Sequence, residues 1–151
     1  MANTQAMCTS FKGELLTGTH NFGTGVTRAS TVADTFKAAL YLASATVNAS
    51  TTAYSATGEV SGTNYSAGGV TVTNATAPTT SGTTAYWTPS ASITFTNVTL
   101  TTAFDAVLIY NSTQSNKAVS VHTFGSQTVT AGTFTLTMPT NDSSTGLIRL
   151  A

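Results

Sequence analysis

The sequence predicts an all-β sandwich of about eight short strands preceded by a short N-terminal helix. Three observations lead there. Apolar residues alternate with threonine in runs of strand length, and turn residues separate those runs at the spacing of a sandwich or barrel. Apolar residues make up 40% of the chain but charged ones only 7%, where a soluble domain averages about 25%. With 151 residues the chain fits one domain, residues 1–18 forming a helical segment and 34–151 the sandwich.

Taken in order, roughly Asn3 to Leu16 carries the helix signal, because Met7, Phe11 and Leu15 recur every four residues. Asn3 or Thr4 can cap its start, and Gly18 suits a left-handed stop. Residues 20–30 are a Gly/Thr/Asn-rich connection. Asp34 to Ala43 reads as the first strand, with Phe36, Leu40 and Leu42 on one face and Lys37 and Tyr41 on the other. Thr46 to Tyr54 is a polar loop, Gly58 to Gly62 a short strand or bulge, and Val70 to Asn74 a strand opened by Gly68 and Gly69.

Ala75 to Ala85 reads as a long surface loop around Pro78. Ser92 to Thr96 is a strand whose apolar period Val98 and Leu100 extend, and Phe104 to Tyr110 is apolar on both faces, as a central strand is. Asn111 to Lys117 is a turn that pairs this strand with Ala118 to Phe124, which Gly125 ends. Thr128 to Thr130 and Phe134 to Met138 form a further pair about a turn at Ala131 and Gly132, and Leu147 to Leu150 closes the chain. Threonine makes this pattern workable without charge, since its β-branched side chain favours the pleat and its hydroxyl bonds across it. The cost is weak edge protection, because Lys, Glu and strand proline are the usual guards against edge pairing.

Composition excludes several functions. No apolar run approaches the ~20 residues of a spanning helix, and recurrent Phe, Tyr, Val and Ile argue against disorder. Five basic residues balance five acidic ones and are scattered, so no surface for nucleic acid or anionic lipid is expected. A net charge near zero favours self-association. The start Met1-Ala2-Asn3-Thr4-Gln5 lacks the basic and apolar regions of a leader peptide, so synthesis and retention in the cytosol are expected. Cys8, the single cysteine, has no Lys, Arg or His within three residues to activate it and reads as a small buried hydrophobe of the helix.

No catalytic constellation appears, and the chain is expected not to be an enzyme. Nucleophile motifs are missing. His20 and His122 are the only imidazole bases, and Asp105 with Glu59 is a weak glycosidase pair. Cys8, His20 and His122 lack metal-ligand spacing, so neither metal nor cofactor is expected. The glycines at 23–25 follow a helix instead of a strand and carry no dinucleotide fingerprint. Six Asn-x-Ser/Thr sites, at Asn48, Asn64, Asn74, Asn97, Asn111 and Asn141, arise from composition. Tyr54, Tyr65, Tyr86 and Trp87 lie in or beside turns, where three readings stand open: anchors on the domain's own core, a protein interface, or a carbohydrate-stacking surface.

Several strings carry a family resemblance: Asp34-x-Phe-Lys-x-Ala-Leu-Tyr41, Thr52-Ala-Tyr54, Glu59-Val-x-Gly62-x-x-Tyr65-x-x-Gly68-Gly69, Ala106-Val-Leu-Ile-Tyr-Asn111 and Asn116-Lys-Ala-Val119. Together they resemble small virion structural proteins of tailed bacteriophages. The resemblance implies a jelly-roll-like sandwich acting as a capsid decoration or cement protein, bound to the major capsid protein and bridging capsomers within the virion. A homo-oligomer, dimer or trimer, is the expected form. Threonine-rich β-domains also occur in phage tails, adaptors and head fibres, so a component of that kind with a carbohydrate- or receptor-binding role is the alternative. Met7, Phe11 and Leu15 are the first candidate contact, docking on the chain's own sandwich or on a neighbouring subunit, with Tyr54, Tyr65, Tyr86 and Trp87 beside them.

Overall fold

The computed structural model describes residues 3–16, 18–20, 22, 33–73 and 77–151. The expected glycine-rich connection at 23–30 and the end of the strand expected at Val70 to Asn74 lie outside the described residues. Among the described residues there are eight strands and one helix, in the order β1 (Ala6–Met7), α1 (Thr9–Leu16), β2 (Phe36–Leu42), β3 (Val70–Thr71), β4 (Thr79–Ser81), β5 (Thr84–Trp87), β6 (Ile93–Asn111), β7 (Lys117–Leu136) and β8 (Ile148–Leu150). They form two antiparallel sheets, one of five strands in the order β1-β7-β6-β2-β3 and one of three in the order β4-β5-β8. The fold is therefore all-β and sandwich-like, with a short helix.

Two strands are much longer than the expected ones. β6 and β7 run 19 and 20 residues and form one hairpin about residues 112–116. Ala131 and Gly132, read as a turn, are instead a bulge, with Ala131 at φ 46° and its amide held by Thr99 Oγ1 at 3.0 Å. Register shifts recur between Phe95 and Ala106. Extra residues on alternate strands bend the ribbon without ending it, which is why turn-like sequence sits inside continuous strand. The bend folds the far half back: Phe134 pairs with Phe95 in register yet meets Phe104 edge-on at 5.0 Å, and Leu136 and Met138 line a pocket with Val107, Ile109 and His122.

The near half of the ribbon pairs with β2 from Phe36↔Asn111 to Leu42↔Phe104. Ala38, Ala39, Leu40, Leu108, Val119 and Val121 there are all buried completely. The three-stranded sheet closes on this layer through Trp87, whose ring lies 4.9 Å from Phe22 and 5.9 Å from Phe36. Truncating a buried ring of this size costs about 3–5 kcal/mol. The stretch 75–85, read as a loop, holds the β4–β5 hairpin. β4 is exposed at all three residues, so no apolar alternation marked it.

The helix is shorter than expected. Met7 lies in β1, paired Ala6↔Val121 and Met7↔Ser120, and α1 begins only at Thr9. Asn3 and Thr4 therefore do not cap it. Asn3 donates to the Leu42 carbonyl at 3.0 Å and accepts from the Val47 amide at 3.0 Å, while Thr4 N–H bonds the Val47 carbonyl. Gly18, at φ 64°, stops the helix as expected.

Candidate functional site

The densest polar cluster is built around Glu59, on the 43–69 connection that lies over the sheet. An isolated bridge to Tyr41 holds Glu59 against β2. Its Oε1 accepts from the Tyr65 phenol and the Gly68 amide, both at 2.8 Å, and Oε2 accepts from the Tyr54 phenol at 2.6 Å. The Tyr65 oxygen also accepts the Leu40 amide at 3.0 Å, beyond the end of β3. Tyr54 stacks on Tyr110 at 4.8 Å, and Tyr110 donates to the Gly68 carbonyl at 2.8 Å. Tyr41 donates to the Ser55 carbonyl at 2.5 Å. Burial and the Glu59 carboxylate push the Tyr54 and Tyr65 phenols far up, and burial raises Tyr41 to about 12. All of them remain protonated donors.

A second cluster joins the N-terminal segment to the tip of the long hairpin. His20 Nε2 lies 2.7 Å from Glu14 Oε2, and Lys117 donates to Glu14 Oε1 at 2.5 Å. Asn111, wholly buried, gives its two amide protons to His20 Nδ1 at 3.0 Å and Asp34 Oδ2 at 2.8 Å. That pattern defines a neutral imidazole, protonated on Nε2. Burial holds His20 below its ordinary range despite the neighbouring carboxylates. Burial works the other way on Glu14, but the hydrogen bonds of Lys117 and His20, with the Lys117 charge, outweigh it and keep that carboxyl low. Asn111, one of the six sequons, has no surface on which to carry a glycan.

Four further titratable groups among the described residues are also held within their own chain. Asp105 Oδ1 accepts from Asn3 at 2.5 Å, and Asp142 accepts two backbone amides and the Ser144 hydroxyl at 2.7 Å each. His122 lies 2.9 Å from the Ser120 hydroxyl, and burial lowers it to about 4. Cys8 is buried, and desolvation, with Glu14 adding to it, raises its thiol to about 11. It precedes the helix instead of lying in it. Among the described residues no group of three or more His, Cys, Asp or Glu could hold a metal ion, and no helix is long and apolar enough to cross a membrane.

The seven singled-out side chains fall in different places. Phe11 and Trp87 are buried within this chain, Phe11 edge-on to His20 at 4.8 Å and to Phe22 at 5.7 Å. Leu15 and Tyr86, half-buried, line with them an apolar crevice of about 90 Å³ between α1 and the three-stranded sheet. Met7 is half-buried in β1, so Met7, Phe11 and Leu15 do not form one helical stripe. Tyr54 and Tyr65 belong to the Glu59 cluster, and Tyr65 also stacks on Phe95 at 5.8 Å. Sequence reasoning did not assign Asn111 or the anchoring role of Glu59. The only signal for the latter was a lone carboxylate among three tyrosines in an uncharged stretch.

The outward side of the ribbon's far half has another character. Thr94, Thr96, Thr101, Thr102, Thr128 and Thr130 are exposed there. No Asp, Glu, Lys or Arg occurs between Glu59 and Asp105, or between Lys117 and Asp142. In comparisons with known proteins, no family model, no curated protein and no solved structure matches the chain.

Proposed function

We propose that this chain is a non-catalytic structural component of a tailed-phage virion, a decoration protein that lies on the major capsid protein and bridges capsomers. The carrying observation is the exposed, uncharged threonine surface on the far half of the β6–β7 ribbon, which offers hydroxyls and backbone but no charge to a neighbour. A surface of this kind favours broad coverage by protein over recognition of a charged ligand. The resemblance of the Asp34 to Tyr41, Glu59 to Gly69 and Ala106 to Asn111 strings to small virion proteins supplies the class. Glu59, Asp105, Glu14 and both histidines serve internal bonds, which favours a structural role over acid–base chemistry.

The carbohydrate-binding alternative in a tail or head fibre loses its best platform, since Trp87 is 2% exposed and sugar stacking needs an open ring face. Quantitative mass analysis of intact virions tests the proposal. Hundreds of copies per particle support decoration of the shell. A few to some tens place the chain in the tail or an adaptor, and absence from the particle overturns the reading altogether.

A further inference from the structure

The two edges of the long ribbon are treated differently. Beyond the end of β2, the outer edge of β6 is covered by residues 61–64. Thr63 N–H bonds the Thr99 carbonyl at 3.2 Å, Thr99 N–H bonds the Thr63 carbonyl at 3.0 Å, and Asn64 Nδ2 caps the Asn97 carbonyl at 2.8 Å. Among the described residues the matching edge of β7 has no such cover. β1 pairs with it only at Ser120 and Val121. Among the described residues no backbone group of 124–136 bonds any strand other than β6, and Gly125 to Thr128, Thr130, Ala131, Thr133 and Thr135 are exposed.

From this asymmetry we infer that the far half of β7, about Gln127 to Leu136, is a self-pairing edge that adds to the same edge of a second copy, antiparallel about a two-fold axis. Charge selects this occupant. A two-fold places the strand antiparallel to its own copy, so a charged residue near the axis would face or adjoin its own like charge, a strong penalty in a sheet. From Ala118 to Asn141 there is no Asp, Glu, Lys or Arg, and the edge carries neither lysine nor proline, the usual guards. Threonine opposite threonine is a favourable pair. The half-buried Val129, Phe134 and Leu136 pack on the inner face, so an added strand would cover them while the exposed threonines continue the outer one. The bulge at Ala131 is the one protective device present, and it divides the pairing into two short ladders.

The inference deepens the proposed function by naming the surface of self-association, but it is tested on isolated protein, so a failure on the virion and a failure here are separate results. Sedimentation at concentrations up to about 100 µM should show a dimer for the wild type. The double variant Thr130→Lys with Thr133→Lys, which sets four like charges together across the two-fold, should sediment as a monomer with its thermal unfolding retained. Amide exchange should slow in 127–136 as wild-type concentration rises, and this readout stands even if the variant fails to fold. A wild type that stays monomeric overturns the inference. So does a dimer that persists with both lysines in place, or exchange in 127–136 that is independent of concentration.

Discussion

The Tyr65 phenol joins Glu59 to the sheet, giving its proton to Glu59 Oε1 over 2.8 Å and taking the Leu40 amide over 3.0 Å. One hydroxyl thus satisfies a β2 donor that no strand reaches and supplies one of the three hydrogen bonds to a carboxylate that is 9% exposed. The long connection between β2 and β3 hangs on this relay.

Glu59→Gln keeps the shape but not the acceptor capacity. Its amide nitrogen can only donate, so towards Tyr54 it makes that phenol turn to accept, and the Tyr65 and Gly68 donors exchange a charged acceptor for a neutral one. Bonds to a charged acceptor contribute about 1.5–3 kcal/mol each and do not add fully, so a loss of about 3 kcal/mol is expected. Urea unfolding should show the midpoint falling with the slope unchanged. Tyr65→Phe should lose about 1–3 kcal/mol by orphaning the Leu40 amide.

Cys8 is predicted to be inert. It is fully buried and its thiol is raised to about 11, so at pH 8 almost no thiolate exists and no reagent reaches it. A chromogenic disulfide reagent should label no thiol in the native protein and one per chain in denaturant. Rapid native labelling would show that the β1–α1 segment leaves the sandwich.

His122 sets an acid limit on stability. Its folded value of about 4 lies below the ordinary 6.5, so between those pH values the unfolded chain binds a proton that the folded chain refuses. Its contribution is complete above about pH 6.5 and is lost as pH falls towards 4, about 3 kcal/mol over the window. The lowered His20 acts in the same direction. His122→Gln should therefore flatten the pH dependence of chemical unfolding by close to one proton without abolishing it.

These sites differ in how far the sequence disclosed them. The central hairpin was legible because Phe104 to Tyr110 is apolar throughout and Ala118 to Phe124 alternates after an obvious turn. The continuity of β6 and β7 was not, because a bulge at Ala131 and Gly132 uses the same residue types and positive φ as a turn. Met7 was placed on the helix because a four-residue spacing does not reveal a two-residue strand paired with Val121 and Ser120. The burial of Trp87 depends on Phe22 and Phe36, far away in sequence, so no local pattern could separate a core anchor from an exposed platform. Glu59 was visible as a lone charge, but its three donors come together only when residues 54–68 fold over β2.

Backbone approach gives the sharpest paired prediction, a contrast between two glycines that share a left-handed conformation. Gly69 has φ 70° and Gly82 has φ 57°, yet a Cβ on Gly69 would lie 1.8 Å from the Ala38 carbonyl oxygen, whereas one on Gly82 meets nothing within 4 Å. Gly82→Ala therefore costs only the left-handed backbone, about 1–2 kcal/mol. Gly69→Ala adds a clash with backbone that cannot move without opening the β2–β3 pairing of Ala38 with Val70, and more than about 4 kcal/mol is expected. Thermal unfolding should show a small shift for Gly82→Ala, and for Gly69→Ala either a large one or no folded protein. Equal effects at the two positions would mean that the 66–69 turn does not sit against β2 as described.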